Sequence, residues 1–284
     1  EGIMHISMTY LEAGDEVLVP DPGYPAYAAV AKLTGAELRS YQLKPELGWQ
    51  ADLDELAKTD LSKVKIMWIN YPNMPTGAQA DVDYYKKLIE LAKASRFLLV
   101  NDNPYTFILN DNPVSLLSVE GASELALELN SLSKAHNMAG WRVGMIAGAA
   151  VYLQQILRFK SNMDSGMFKP LQLAAVKALG QSASWYEDLN KVYRERRKLA
   201  EEILQSLDCH FDPAQVGMFV WASIPDRYVS GYELSDRVLE KANVFLTPGG
   251  IFGKGGDRYV RISLCSEAET LKQARDRILE MLNQ

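Results

Sequence analysis

Histidine and cysteine are scarce in this chain, with three of the first and two of the second among 284 residues. Cys209 and Cys265 stand apart, at neither metal nor redox spacing, so no zinc site, dithiol motif or disulfide framework is indicated. They read as buried thiols of a protein kept in a reducing compartment, which predicts a cytoplasmic location. No apolar run reaches the roughly 18 residues of a membrane span. Basic charge is not in excess: 30 Lys and Arg face 36 Asp and Glu, a net charge of −6. That balance leaves no electrostatic footprint for nucleic acid. A methionine start, a charged leader and a cleavage signature are also missing, so the opening stretch is not a signal peptide. Glu1 leads directly into the apolar pattern GIMHISMTYL. The expectation is a chain that begins inside a domain, with further material upstream.

What is present suits a globular protein. Hydrophobic residues make up 48% and charged residues 23%, enough for a sizeable core in one large domain or two ordinary ones. Ile3, Met4, Ile6, Met8 and Leu11 predict a mostly buried opening helix. EVLVP, ELRSYQL, KIMWIN and FLLVN then read as strands separated by helical patterns, including one from Val82 to Ala94. That alternation predicts βαβ units and a parallel sheet. ALELNSLS and VGMIAGA continue the strands. Helices are expected over AAVYLQQILRFK, Lys169 to Leu179 and Trp185 to Leu207, the last with a solvated charged face at Arg194, Arg196, Arg197 and Lys198. Short strands at CHF, MFVWASI, VFLTPG and YVRISLC, with a helix from Gly231 to Ala242, predict a smaller α+β domain. Ser266 and Glu269 predict a capping box opening the final helix. The expected division is 1–165 and 166–284.

The most chemically suggestive stretch is Ser131 to Gly144, SLSKAHNMAGWRVG. A lone lysine is most often a solvated surface charge, but the surroundings of Lys134 argue otherwise. Strand-like runs lead into and out of the segment, which predicts a loop beside a buried sheet edge. Desolvation there lowers an amine's pKa and makes it nucleophilic. Ser131, Ser133 and Arg142 add two hydroxyls and a fixed cation, the chemistry that holds a phosphate. A lysine able to form an imine beside a phosphate grip is what pyridoxal phosphate (PLP) requires. His136 is read as structural rather than as a base. Arg261 stands inside the apolar strand Tyr259-Val260-Arg261-Ile262-Ser263, where a charge needs a partner.

The ordered segments PGYPAY, NMPTG, DNPY, SLSKAHNMAGWR and YVRIS together resemble the class I/II aminotransferases of PLP-dependent fold type I. The resemblance runs through essentially the whole chain. It implies an α/β fold with a mostly parallel sheet flanked by helices, a smaller α+β C-terminal domain, and a homodimer. It also implies two ping-pong half-reactions that move an amino group from an amino acid to a 2-oxo acid through a Schiff base on Lys134. Tyr24 would stack on the pyridine face, Asp102 would face the pyridinium nitrogen, and Tyr105 would reach the phenolic oxygen. Ser131, Ser133 and Arg142 would hold the phosphate, while Arg261 would clamp the substrate carboxylate. No metal is implied. One position departs from the family pattern: Met74 stands where an asparagine donates to the phenolic oxygen. A thioether cannot donate, so either Asn73 supplies that bond or it is absent. SNMDSGMF, with Asp164, is closer to the diaminopimelate, alanine and methionine type than to the aspartate type. Two alternatives share the fold: a PLP-dependent C–S β-lyase, and a non-catalytic effector domain of a transcription regulator.

Overall fold

The computed structural model describes residues 1–283. The chain opens with α1 (Gly2–Tyr10), β1 (Glu16–Asp21), α2 (Pro25–Thr34), β2 (Glu37–Lys44), β3 (Gln50–Ala51) and α3 (Leu53–Ala57). Next come β4 (Val64–Ile69), α4 (Val82–Ser95), β5 (Leu98–Asp102), α5 (Ala122–Leu125), β6 (Ala126–Ser131), α6 (Leu132–Ala135) and β7 (Gly144–Gly148). Three helices follow: α7 (Ala150–Met163), α8 (Lys169–Leu179) and α9 (Ala183–Ser206). The last part holds β8 (His210–Phe211), β9 (Phe219–Ser223), α10 (Gly231–Ala242), β10 (Thr247–Pro248), β11 (Tyr259–Ser263) and α11 (Ala268–Leu282).

The large sheet runs in the order β3-β2-β1-β4-β5-β6-β7. Strands β2, β1, β4, β5 and β6 are parallel, with β3 and β7 antiparallel at the edges. Strand alternation divides its core into two layers. Leu18, Met67, Ile69, Leu99 and Ala126 face α4 and α5, against Tyr85, Leu88, Ile89 and Ala122. Their sequence neighbours Val17, Val19, Ile66, Trp68, Val100 and Leu127 face α1, α2 and α7, against Ile6, Tyr27, Ala31 and Ile156. A strand buried on both faces explains why KIMWIN shows no polar alternation.

The order reverses between β1 and β4: the chain leaves β1 toward β2, then returns past it to build β4, β5 and β6. A crevice opens outside the carboxyl ends of the strands at such a reversal. The second sheet, β10-β11-β9-β8, is antiparallel. It packs with α9, α10 and α11 around Val220, Ala222, Val260, Ile262, Leu204, Val238 and Ile278.

Several local expectations need correction. In α1 only Ile6 and Ser7 are buried, and Met8 is exposed, because the helix lies on one face of the sheet. Two of the four basic residues expected on a solvated face of α9 are tied down. Arg196 donates to the Leu264 carbonyl at 3.1 Å, and Arg197 donates to Glu201 at 2.7 Å and to the Pro213 carbonyl at 2.8 Å. The capping box is not formed: α11 begins after Glu267, with no side-chain cap. Lys134 lies in the single helical turn α6 rather than in a loop, because Ser131 caps that turn by accepting from the Ser133 amide at 3.1 Å. The neighbouring sheet edge is exposed rather than buried, since β7 pairs only with β6. No helix of the described residues is long and apolar enough to cross a membrane.

Candidate active site

The segments singled out in the sequence come together at one end of the large sheet. Asp21 and Tyr24 end and follow β1, Asn70 to Met74 follow β4, Asp102 and Tyr105 end and follow β5, and Ser131 to Lys134 end and follow β6. These are the carboxyl ends of four adjacent parallel strands, so the sheet itself gathers them. Cross-links fix the ends against one another. Asn70 donates to the Asp102 carbonyl and accepts from the Met74 amide at 2.7 Å. Asn130 donates to the Asn103 carbonyl at 2.9 Å, and the Asn103 amide donates to the Leu129 carbonyl at 2.8 Å.

The lysine segment is built by the β6–β7 hairpin. Ser131 pairs with Gly144, and the Leu132 amide donates to the Val143 carbonyl at 3.1 Å. Arg142 stands two residues before Gly144, the register partner of Ser131. Arg142 has a left-handed backbone (φ 53°) and donates to the Ala139 carbonyl at 2.8 Å. A non-glycine residue held in that region carries strain that the surrounding fold must offset. Lys134 is partly exposed, and its amine makes no hydrogen bond or ion pair with the described residues. His136 is buried and its Nε2 lies 3.1 Å from the Tyr186 hydroxyl. Burial lowers its pKa, which suits a structural, neutral imidazole.

Asp102 anchors the centre. Burial pushes its carboxyl up to about 6, while a hydrogen bond from Tyr27 pulls the other way. Tyr27 donates to Oδ2 at 2.8 Å. Tyr27 was not among the residues singled out in the sequence. It stacks on Trp68 at 5.1 Å with an interplanar angle of 9°, and only 1% of it is exposed. The signal lay in helical spacing: Tyr27 and Ala31 stand four residues apart on one face of the proline-started helix α2, and both are buried. Tyr24 itself is 44% exposed, a free aromatic face braced edge-on by Tyr27 at 5.6 Å.

Tyr105 lies within electrostatic reach of Asp102, Arg261 and Tyr24. Burial, then the Asp102 charge, hold its hydroxyl well above the usual tyrosine range, and Arg261 partly offsets them. Its ring meets Phe219 edge-on at 5.7 Å. Arg261 arrives from the small sheet. Its guanidinium carbon lies 4.1 Å from the Phe219 ring centre and 4.6 Å from that of Phe252. Its Nη1 donates to Met74 Sδ at 3.2 Å, and its Nε is buried without a partner. Burial lowers its pKa to about 10. Within the chain the strand charge thus has two aromatic faces and a soft sulfur as its partners. Asn73 is buried in the turn, where its Oδ1 accepts from the Thr76 amide at 3.2 Å and hydroxyl at 2.8 Å.

These features fit a flat, anionic, nitrogen-bearing cofactor. An exposed aromatic plate stands beside a buried carboxylate, an unengaged amine lies near hydroxyls and a fixed cation, and a second cation lacks an anion. The aminotransferase class I and II family model matches residues 1–278. An LL-diaminopimelate aminotransferase of Natranaerobius thermophilus is 41% identical over 282 residues, covering 99% of this chain and 73% of that protein. The solved structure of apo-BacF from Bacillus subtilis superposes with a TM-score of 0.93 at 37% identity, covering 100% of this chain and 72% of that one. A probable N-succinyldiaminopimelate aminotransferase from Thermus thermophilus superposes with a TM-score of 0.91 at 32% identity, covering 99% and 75%. These relatives do not favour the β-lyase or effector-domain alternative. The chain belongs to the class I and II aminotransferases, PLP-dependent enzymes of fold type I that move an amino group between an amino acid and a 2-oxo acid.

Proposed function

We propose that the amino donor is a diaminopimelate-type amino acid, and that the residues gathered at the sheet end act on it in the following roles. The observation that carries the site assignment is Arg261, a cation with a buried, unpartnered Nε and no anionic neighbour, close enough to Tyr105 and Asp102 to share one site with them. A substrate carboxylate supplies the missing anion, held bidentately by the guanidinium fork. The donor class is supported by the N. thermophilus relative, an LL-diaminopimelate aminotransferase.

When bound, PLP supplies the electron sink. Lys134 Nζ would take the proton from the donor's Cα as general base and give it up again as general acid. Asp102 presents a carboxylate to the ring nitrogen and keeps a proton there. Tyr24 lays its exposed ring on the cofactor face. Tyr105 directs its hydroxyl to the phenolic oxygen. Ser131, Ser133 and Arg142 hold the phosphate by hydroxyl and charge-assisted hydrogen bonds. Asn73 retains its amide nitrogen as the candidate second donor near the phenolic oxygen, since its carbonyl is committed to Thr76.

The functional unit is read as a cofactor-binding part, 1–165, and a smaller part, 166–284; each sheet has its own core, while Ile108 and Ala135 join the small-sheet core and α8 packs on Leu132, Met138 and Val143. A homodimer is supported by the exposed apolar residues Val151 and Leu157 on α7, Phe168 just before α8, and Leu173 and Val176 on α8, a surface that a second copy would cover. Cys209 is a buried free thiol, whereas Cys265 is a free thiol that is exposed rather than buried as expected; free thiols are in keeping with a reducing cytoplasm.

The test is a panel of amino donors with 2-oxoglutarate, following formation of glutamate. LL-diaminopimelate is expected to be the best donor, and Lys134→Ala to lose essentially all turnover. Turnover by that variant at more than about 1% of the parent would remove Lys134 from its role. A preference for aromatic or acidic donors would overturn the substrate class.

A further inference from the structure

The site draws on two sheets, and one buried carboxylate bridges them without touching the chemistry. Asp21, the last residue of β1, is only 9% exposed. Its Oδ1 accepts from the Gly255 amide at 2.9 Å, and its Oδ2 accepts from Gln42 Nε2 at 3.1 Å. Two residues further on, the Gly23 amide donates to the Phe252 carbonyl at 2.8 Å. The end of β1 therefore grips the segment Gly249–Gly256, which joins the small-sheet strands β10 and β11. That segment carries Phe252, one of the two rings against Arg261, and the same stretch of β1 leads directly to Tyr24.

The contact is shaped for this role. Gly253 has φ +129°, and a Cβ there would lie 2.1 Å from Asp21 Oδ1. Only a residue without a side chain lets the loop come so close to the carboxylate. Gly255 is similarly tight, with an added Cβ 3.0 Å from Pro22 Cδ. Phe252 also meets Trp221 at 6.0 Å, and Trp221 stands opposite Arg261 in the β9–β11 register. A shift of this loop would move one wall of the arginine's cage.

We propose that Asp21 is a positioning residue that clasps the Gly249–Gly256 loop to the large sheet, thereby fixing Arg261 relative to Tyr24 and setting the affinity for the substrate carboxylate. The proposal rests on the reading of Arg261 as the carboxylate clamp. An acceptor at Asp21 is needed more than a charge, because its loop partner is a backbone N–H. Asn in its place therefore keeps the clasp, whereas Ala removes it.

The test uses the full chain loaded with PLP and pyruvate as probe, the smallest molecule carrying the carboxylate and 2-oxo group. Calorimetry gives its Kd. Asp21→Ala is expected to raise Kd about tenfold, the scale of one lost buried hydrogen bond. Asp21→Asn is expected to stay within about threefold on the same argument. Gly253→Ala, which pushes on the clasp from the other side, should weaken binding like Asp21→Ala. If Asp21→Ala unfolds, Asp21→Glu carries the test, since its longer side chain displaces the loop and should also raise Kd. Arg261→Lys separates the two ideas. An unchanged Kd in Arg261→Lys would refute the clamp reading and the clasp with it. A weakened Arg261→Lys beside an unchanged Asp21→Ala, or beside an unchanged Asp21→Glu if Asp21→Ala unfolds, would refute the clasp alone. A Kd equally raised in Asp21→Asn and Asp21→Ala would also overturn it, because it would show that the acceptor is not what matters.

Discussion

Asp102 shows how one residue's surroundings turn a sequence feature into chemistry. Its carboxyl sits at about 6, against an ordinary 3.8. Between those values the folded chain keeps the proton that the unfolded chain releases. Asp102 alone therefore makes the cofactor-free chain less stable as pH rises from about 4 to 6. Asp102→Asn should remove that part of the slope, which urea midpoints taken across this range would reveal. A variant whose pH slope matches the parent would show that Asp102 is solvated and ordinary. A cation opposite the carboxylate acts in the reverse sense and favours the ionised form, which is what a pyridinium nitrogen provides. The acid's position was legible from its place after the apolar run FLLVN. Its partner was not, because a hydroxyl 75 residues away in sequence reaches it only through the packing of α2 on the sheet. Arg261 teaches the same lesson from the other side. Its need for a partner was visible in an apolar strand, but the partners are two phenyl rings and a thioether. Met74 looked like a loss at the cofactor; in the fold its sulfur lies against the arginine.

Among the elements, those carrying strong periodicity or clear punctuation match the expected spans closely. Helix α10 runs from Gly231 to Ala242, as its pattern predicts. Helix α4 starts after Asp81, whose carboxylate accepts from the Tyr84 amide at 2.7 Å. Asp81→Ala should cost about 1 kcal/mol of stability, the usual worth of such a cap, read as a lowered urea midpoint at unchanged slope. No change would mean that this helix terminus is held by packing alone. Elements whose form depends on neighbours were less legible. Ser266 and Glu269 have the right spacing for a capping box, yet the helix starts after Glu267 and the side-chain bonds are not made. The lysine segment reads as a loop because four residues are too few to show a period. It becomes a helical turn only because the hairpin with β7 and the Ser131 cap close it. That turn, flanked by a strained Arg142, gives the amine a fixed base.

At the scale of the whole molecule, the chain's order is its strongest evidence. Four strands deliver four motifs to one end of a sheet whose connections reverse beside them. The parallel sheet was legible because strands buried on both faces read as continuous apolar runs. The approach of the small sheet was not, since it depends on contacts such as Asp21 to Gly255 that span 234 residues. The exposed apolar residues of α7 and α8 bear on assembly. Sedimentation should give twice the chain mass of 31.7 kDa, and Leu173→Asp with Val176→Asp should shift it toward the monomer. A parent sedimenting as a monomer at every concentration would contradict the proposed dimer.

Every role assigned at the sheet end depends on Lys134 being the amine that meets the cofactor. The direct measurement is borohydride reduction of the PLP-loaded chain, followed by peptide mapping of the modified lysine. The predicted result is a visible absorption band that reduction abolishes, with one pyridoxyl label, on Lys134. A label scattered over surface lysines, or concentrated on a different one, would contradict the assignment.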